Sequence, residues 1–148
     1  MNEEDLRCAK EYYQIMEGSI LNLPEEQRAS VYRPCAVNCV KDTVVKEQKR
    51  EFEECHGDLG LQYEKYGNSD YFFGKVIEKG RVYEVGFPRC LCHLVDTGFA
   101  KEPIHCECSR QSILYILQEL MPEKKIQVTT LETVLSGSEK CRFRVVVE

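Results

Sequence analysis

Cys90-Leu91-Cys92-His93 is followed, after a short connector, by His105-Cys106-Glu107-Cys108. The two segments are near mirror images, CxCH and HCxC. Thiols and imidazoles at this density hold a metal, run thiol chemistry, or form disulfides. In an extended segment residues i and i+2 point to one side, so each CxC can offer two sulfurs to a common centre. Four thiolates satisfy a tetrahedral zinc at about 2.3 Å per bond, and four cysteines also hold iron–sulfur clusters. Cys90, Cys92, Cys106 and Cys108 are therefore the expected metal ligands, with zinc the first expectation and an iron–sulfur cluster its rival. The spacing differs from the CxxC knuckles of zinc ribbons. A helix expected after Cys108 would place its positive end beside these sulfurs and favour thiolate. The alternative is four free cysteines packed as small hydrophobes.

Other residues could join this chemistry. Cys35 and Cys39 lie four apart, on one face if helical, and are either extra ligands, a reactive dithiol, or two small core residues. His93 and His105 can each replace a cysteine as ligand, serve as a general base, or lie on the surface. Cys8, Cys55 and Cys141 read as packing residues. His56 reads as a partner for the carbonyls of a helix end. Tyr63, Tyr66, Tyr71, Phe72 and Phe73 either fill the core or wall an apolar pocket.

The bulk composition narrows the setting. The chain has 148 residues, 20 basic and 25 acidic, for a net charge of -5. That length supports one domain with its own core. The charge gives no basic stripe for nucleic acid. No apolar run is long enough for a bilayer, and the acidic start Met1-Asn2-Glu3-Glu4-Asp5 is unlike a secretory signal. The expected setting is the cytoplasm, where nine cysteines point to metal or catalysis rather than to disulfides.

The elements that must position these residues follow from periodicity. Glu3 to Gly18 has the spacing of an amphipathic helix. Pro24 to Ser30 reads as a connector or helical turn. A second helix is expected from Pro34, a favoured first position, to about Cys55. Residues 57 to 70 read as loop with some helix. Phe72 to Glu78 and Arg81 to Phe87 form an expected hairpin around Lys79-Gly80. A short helix is expected over His93 to Ala100. Ser109 is placed to cap a helix with Ile113, Ile116, Leu117 and Leu120 on one face, stopped by Pro122. Lys125 to Leu135 and Lys140 to Val147 form a second expected hairpin. The result is one α+β domain over 1-148, with a helical part at 1-56. The part at 70-148 carries the cysteines and an antiparallel sheet of about four strands in two hairpins, packed against helices.

The stretch Cys106-Glu107-Cys108-Ser109, a helix, a strand, Leu135-Ser136-Gly137-Ser138-Glu139-Lys140-Cys141-Arg142-Phe143 and a closing strand resembles the vinyl-reductase-like, or hydrocarbon-binding, small-molecule-binding domain. That domain is related to the Golgi-transport TRAPP subunits. The G-x-x-x-C-x-F ending is also similar to the L-2-amino-thiazoline-4-carboxylic acid hydrolase-like family, and the cysteine set to an uncharacterised bacterial branch. The likeness covers about residues 70 to 148. It implies an antiparallel sheet backed by helices, often a homodimer, and a pocket for a small apolar or amphipathic ligand, with cysteine-bound metal in some members. The hydrolase family would imply C–N cleavage. The chain departs from that family in its extra cysteines and in lacking a Cys-x-x-Asp.

The first expectation is thus a cytosolic, cysteine-ligated metal-binding and small-molecule-binding domain that engages neither nucleic acid nor membrane. The second is a thiol- or metal-dependent hydrolase. The third is a redox sensor using Cys35 and Cys39 or the CxC pairs.

Overall fold

A computed structural model describes all residues, Met1–Glu148. Helices α1 (Glu3–Ile20), α2 (Glu25–Val40), α3 (Val44–Glu54) and α4 (Leu59–Tyr66) precede strands β1 (Phe73–Glu78) and β2 (Val82–Phe87). A four-residue helix α5 (His93–Asp96), a 3₁₀ turn (Pro103–Cys106) and the long helix α6 (Glu107–Leu120) follow. Strands β3 (Ile126–Glu132) and β4 (Cys141–Val147) close the chain. The fold is α+β, as the periodicity predicts.

The four strands form one antiparallel sheet in the order β1-β2-β4-β3. Both expected hairpins form, and β2 joins β4 to make them one sheet. The central strands carry the core. Phe143, Val145 and Val85 are fully buried, and α6 lays Ile113, Ile116, Leu117 and Leu120 against them. In β4 the buried Cys141, Phe143, Val145 and Val147 alternate with the more accessible Arg142, Arg144 and Val146. One face therefore packs on helices. Gly86 has no room for a side chain, since a Cβ there would lie 2.0 Å from the Cys141 carbonyl oxygen.

The helices depart from the sequence expectation in three places. The stretch expected as connector begins α2 at Glu25, and Pro34 lies inside that helix. Proline removes the bond to the Ser30 carbonyl. Both Pro34 and Ser30 are exposed, so water can serve that carbonyl. The chain then turns at Lys41-Asp42-Thr43, so the single helix expected to reach Cys55 is two. Finally, α6 starts at Glu107, before the Ser109 expected to cap it, and Cys106 precedes its first turn. His56 adopts a left-handed φ of 59° and Gly57 one of 72°, ending α3 with the Gly57 N–H donating to Phe52 O at 2.8 Å.

Helix α1 packs differently from its amphipathic reading. Tyr12, Ile15 and Met16 are exposed, Cys8 is exposed rather than packed, and the buried residue is Glu17. Cys55 and Cys141 are buried as expected. No helix is long and apolar enough to cross a membrane.

Truncating Phe143 to Ala should cost about 3–5 kcal/mol, because the ring is fully enclosed by the sheet and α6. Chemical denaturation with an unchanged slope would check it; a loss below about 1 kcal/mol would mean the core collapses around the gap.

Candidate thiol centre

The local backbone decides where each sulfur goes. Cys90 and Cys92 leave β2 in extended chain, with Cys92 at φ -78°, ψ 118°. Cys106, at φ -70°, ψ -5°, and Cys108 stand instead at the start of α6. Two residues apart on a helix lie about 200° apart around its axis. Cys106 and Cys108 therefore diverge, whereas the extended CxC expectation had them converge.

Two thiol neighbourhoods result. Cys106 is buried beside Thr133, with Cys141, Cys90 and Cys92 near enough for their charge to act on it. Cys108 stands where the charges of Cys39 and Cys35 on α2, and then of Cys92 and Cys106, act on it. Cys35 and Cys39 are themselves exposed. All nine cysteines are free. No group of three or more His, Cys, Asp or Glu side chains is arranged to hold a metal ion. The expected ligands Cys90, Cys92, Cys106 and Cys108 share a neighbourhood but are not gathered into such a group.

The histidines, equivalent flanks in the sequence, differ in the fold. His93 is exposed at the start of α5. His105 is 5% exposed and sits at the centre of a polar chain. Its Nε2 lies 3.2 Å from Cys92 Sγ, and its Nδ1 lies 2.8 Å from the Tyr13 hydroxyl. Behind them, Glu17 Oε1 stands 3.9 Å from Nδ1. Glu17 Oε2 accepts from the backbone N–H groups of Lys101 and Glu102, each at 3.1 Å. Oε1 has no hydrogen-bond partner, and neither does the buried Tyr32 hydroxyl. The Tyr32 and Tyr13 rings meet the imidazole edge-on.

These contacts tune the thiols in opposite directions. The hydrogen bond from His105 holds the Cys92 thiol below its ordinary value, and the backbone N–H groups of Val95 and Leu94 add to the effect. Burial pushes Cys106 up to about 11 and Cys108 up to about 12. Burial, then the charge of Glu17, also raises Tyr13 and takes Tyr32 to about 12. A hydrogen bond that favours the charged form outweighs desolvation only at Cys92.

A cavity of about 640 Å³ lies between β2 and the helices. Twelve of its twenty lining residues are hydrophobic, so it suits an apolar guest. Val85 and Phe87 of β2 face Ile113, Ile116 and Leu117 of α6, while Tyr63, Tyr66, Tyr71 and Phe72 form another wall. The aromatic cluster thus lines the cavity, except for Phe73. Leu91, between Cys90 and Cys92, and Val40, after Cys39, are also in the wall. Glu47, Glu51 and Lys65 are its charged lining residues.

Sequence reasoning missed Tyr13, Glu17 and Tyr32. Tyr13 is 92 positions from His105, so no local pattern joins them. Their one signal is that Tyr13 and Glu17 are four apart and share a helix face. Comparison with protein-family models, with curated proteins and with solved structures finds no match.

The raised thiols give a pH expectation. Above about pH 9 an unfolded chain releases the Cys106 and Cys108 protons while the folded chain keeps them. The unfolded state then binds fewer protons, so stability should fall from about pH 9 toward about pH 12. Denaturation midpoints across that range should decline in the wild type and less steeply in Cys108→Ala. Equal slopes would assign the decline to other groups such as Tyr32.

Proposed function

We propose that the chain is a small-molecule-binding domain whose ligand is apolar or amphipathic and occupies the cavity between β2, α3, α4 and α6. The observation that carries this reading is the cavity itself. Its volume of about 640 Å³ is within the range of roughly 300–1,000 Å³ usual for small-molecule sites. Its walls are mainly aliphatic and aromatic, with a smaller set of polar and charged side chains among them, a composition that suits a ligand with an apolar body and a polar end. Two carboxylates, Glu47 and Glu51, and one ammonium, Lys65, edge the cavity, which favours a neutral or basic polar end over an anionic one. Burial raises Glu51, so its carboxyl can take a proton or donate a hydrogen bond more readily than an ordinary surface glutamate.

Leu91 and Val40 in the cavity wall are sequence neighbours of Cys90, Cys92 and Cys39. Nine free cysteines agree with a reducing compartment, and the cytoplasm is the setting we propose.

A neutral apolar fluorescent probe should bind saturably at one site. Ser112, half-buried on α6 and part of the cavity wall, gives the variant: Ser112→Trp should fill the space and weaken the probe by about tenfold or more (about 1.4 kcal/mol), with the circular dichroism unchanged. Equal binding by both proteins, or no saturable binding, would reject the cavity as the ligand site.

A further inference from the structure

Cys92 differs from every other cysteine in the chain in having a buried imidazole on its sulfur. The His105 Nε2 lies 3.2 Å from Cys92 Sγ. A thiol this close to a histidine nitrogen has the reach of a nucleophile and its base. The base is itself oriented, because the Tyr13 hydroxyl fixes Nδ1 at 2.8 Å. The 3₁₀ turn and the start of α6 hold the ring's backbone, and the edges of Tyr13 and Tyr32 hold its plane. A second, independent feature points the same way. Glu17 is 1% exposed, and one of its carboxylate oxygens has no hydrogen-bond partner. Leaving such an oxygen unpaired is costly, and it stands 3.9 Å from Nδ1. Positive charge arriving on the imidazole would meet a carboxylate already in place.

We propose that Cys92 is a nucleophilic thiolate served by His105 as its proton acceptor, with Glu17 as the positioning residue, and that this site takes soft carbon electrophiles onto sulfur. The inference is independent of what the apolar cavity binds. In the step, the Cys92 proton moves to His105 Nε2, and both ring nitrogens then donate, Nδ1 toward Tyr13 and Glu17. The Sγ electron pair forms the S–C bond. The bond from that carbon to its leaving group breaks, the electron pair departs with the leaving group, and the His105 proton passes to it. The ring returns to neutral with no oxidant or reductant required.

The groups around this sulfur come from every neighbouring element. His105 lies on the 3₁₀ turn, and Tyr13 and Glu17 on α1. Tyr32 on α2 packs on the ring, and Cys106 and Cys108 stand at the start of α6.

Limiting iodoacetamide applied to the full-length chain, with each cysteine's alkylation rate read by peptide mass spectrometry from about pH 5.5 to about pH 9, tests this. At about pH 6, Cys92 should react about tenfold faster than the exposed Cys35 and Cys39. His105→Gln should abolish that advantage by moving the Cys92 midpoint upward, and Glu17→Gln should move it part of the way. A purely structural Glu17 would lower stability in its variant and leave the midpoint of the folded fraction where it was. The proposal is overturned if wild-type Cys92 follows the same profile as Cys35 and Cys39, a result that does not depend on any variant folding. It is equally overturned if the purified chain holds one equivalent of zinc or iron that Cys92→Ser releases, since that sulfur would then be occupied.

Discussion

The carboxylate of Glu17 joins the first helix to the rest of the molecule. Burying an ionised group is expensive unless hydrogen bonds replace its water. Here the backbone N–H groups of Lys101 and Glu102 do so from one side. That pairing fixes α1 against the segment entering the 3₁₀ turn and sets the position of Tyr13, one helical turn earlier. Tyr13 in turn sets His105, and His105 sets Cys92. The apolar residues of α1 contribute little to this docking, since Tyr12, Ile15 and Met16 face solvent. A polar contact thus places the helix, and the order of the thiol centre depends on it.

Much of the sheet was legible from the sequence. Alternation in Cys141 to Val147 and the Lys79-Gly80 turn identify strands because a half-buried antiparallel sheet has a period of two. Helix boundaries were less legible. Pro34 signals a helix start by its own chemistry, yet the preceding turn of α2 forms because its freed carbonyl is in water. The Cys90–Cys108 region was legible as a place but not as a geometry. Whether an i, i+2 pair converges depends on its backbone, and the first pair is extended while the second opens a helix. The partners of His105 were hidden because they come from helices at the far end of the sequence.

The cysteines show how burial sorts chemically identical groups. A low-dielectric setting penalises a thiolate, as at Cys106 and Cys108. Directed hydrogen bonds can reverse that penalty, as those from His105 and the Val95 and Leu94 backbone do at Cys92. Neighbouring thiols are therefore shifted in opposite directions. The separation comes from where each side chain leaves the helix, the loop or the strand.

The strand order β1-β2-β4-β3 makes β1 and β3 the edge strands; Asn68 bridges Phe73 and Gly67 accepts from Gly74 at the start of β1, and Arg110 reaches the Val128 carbonyl of β3, while the rest of each edge has no neighbouring strand. Such borders invite strand addition by another chain, a route to aggregation. Each is interrupted: the pairing slips between Val76 and Glu78 in β1 and between Thr130 and Glu132 in β3. Lys75 and Glu78 add charge to the first, and Gln127, Thr129 and Glu132 polarity to the second. A twisted, charged margin is a poor template, so the sheet is guarded against growing at its ends.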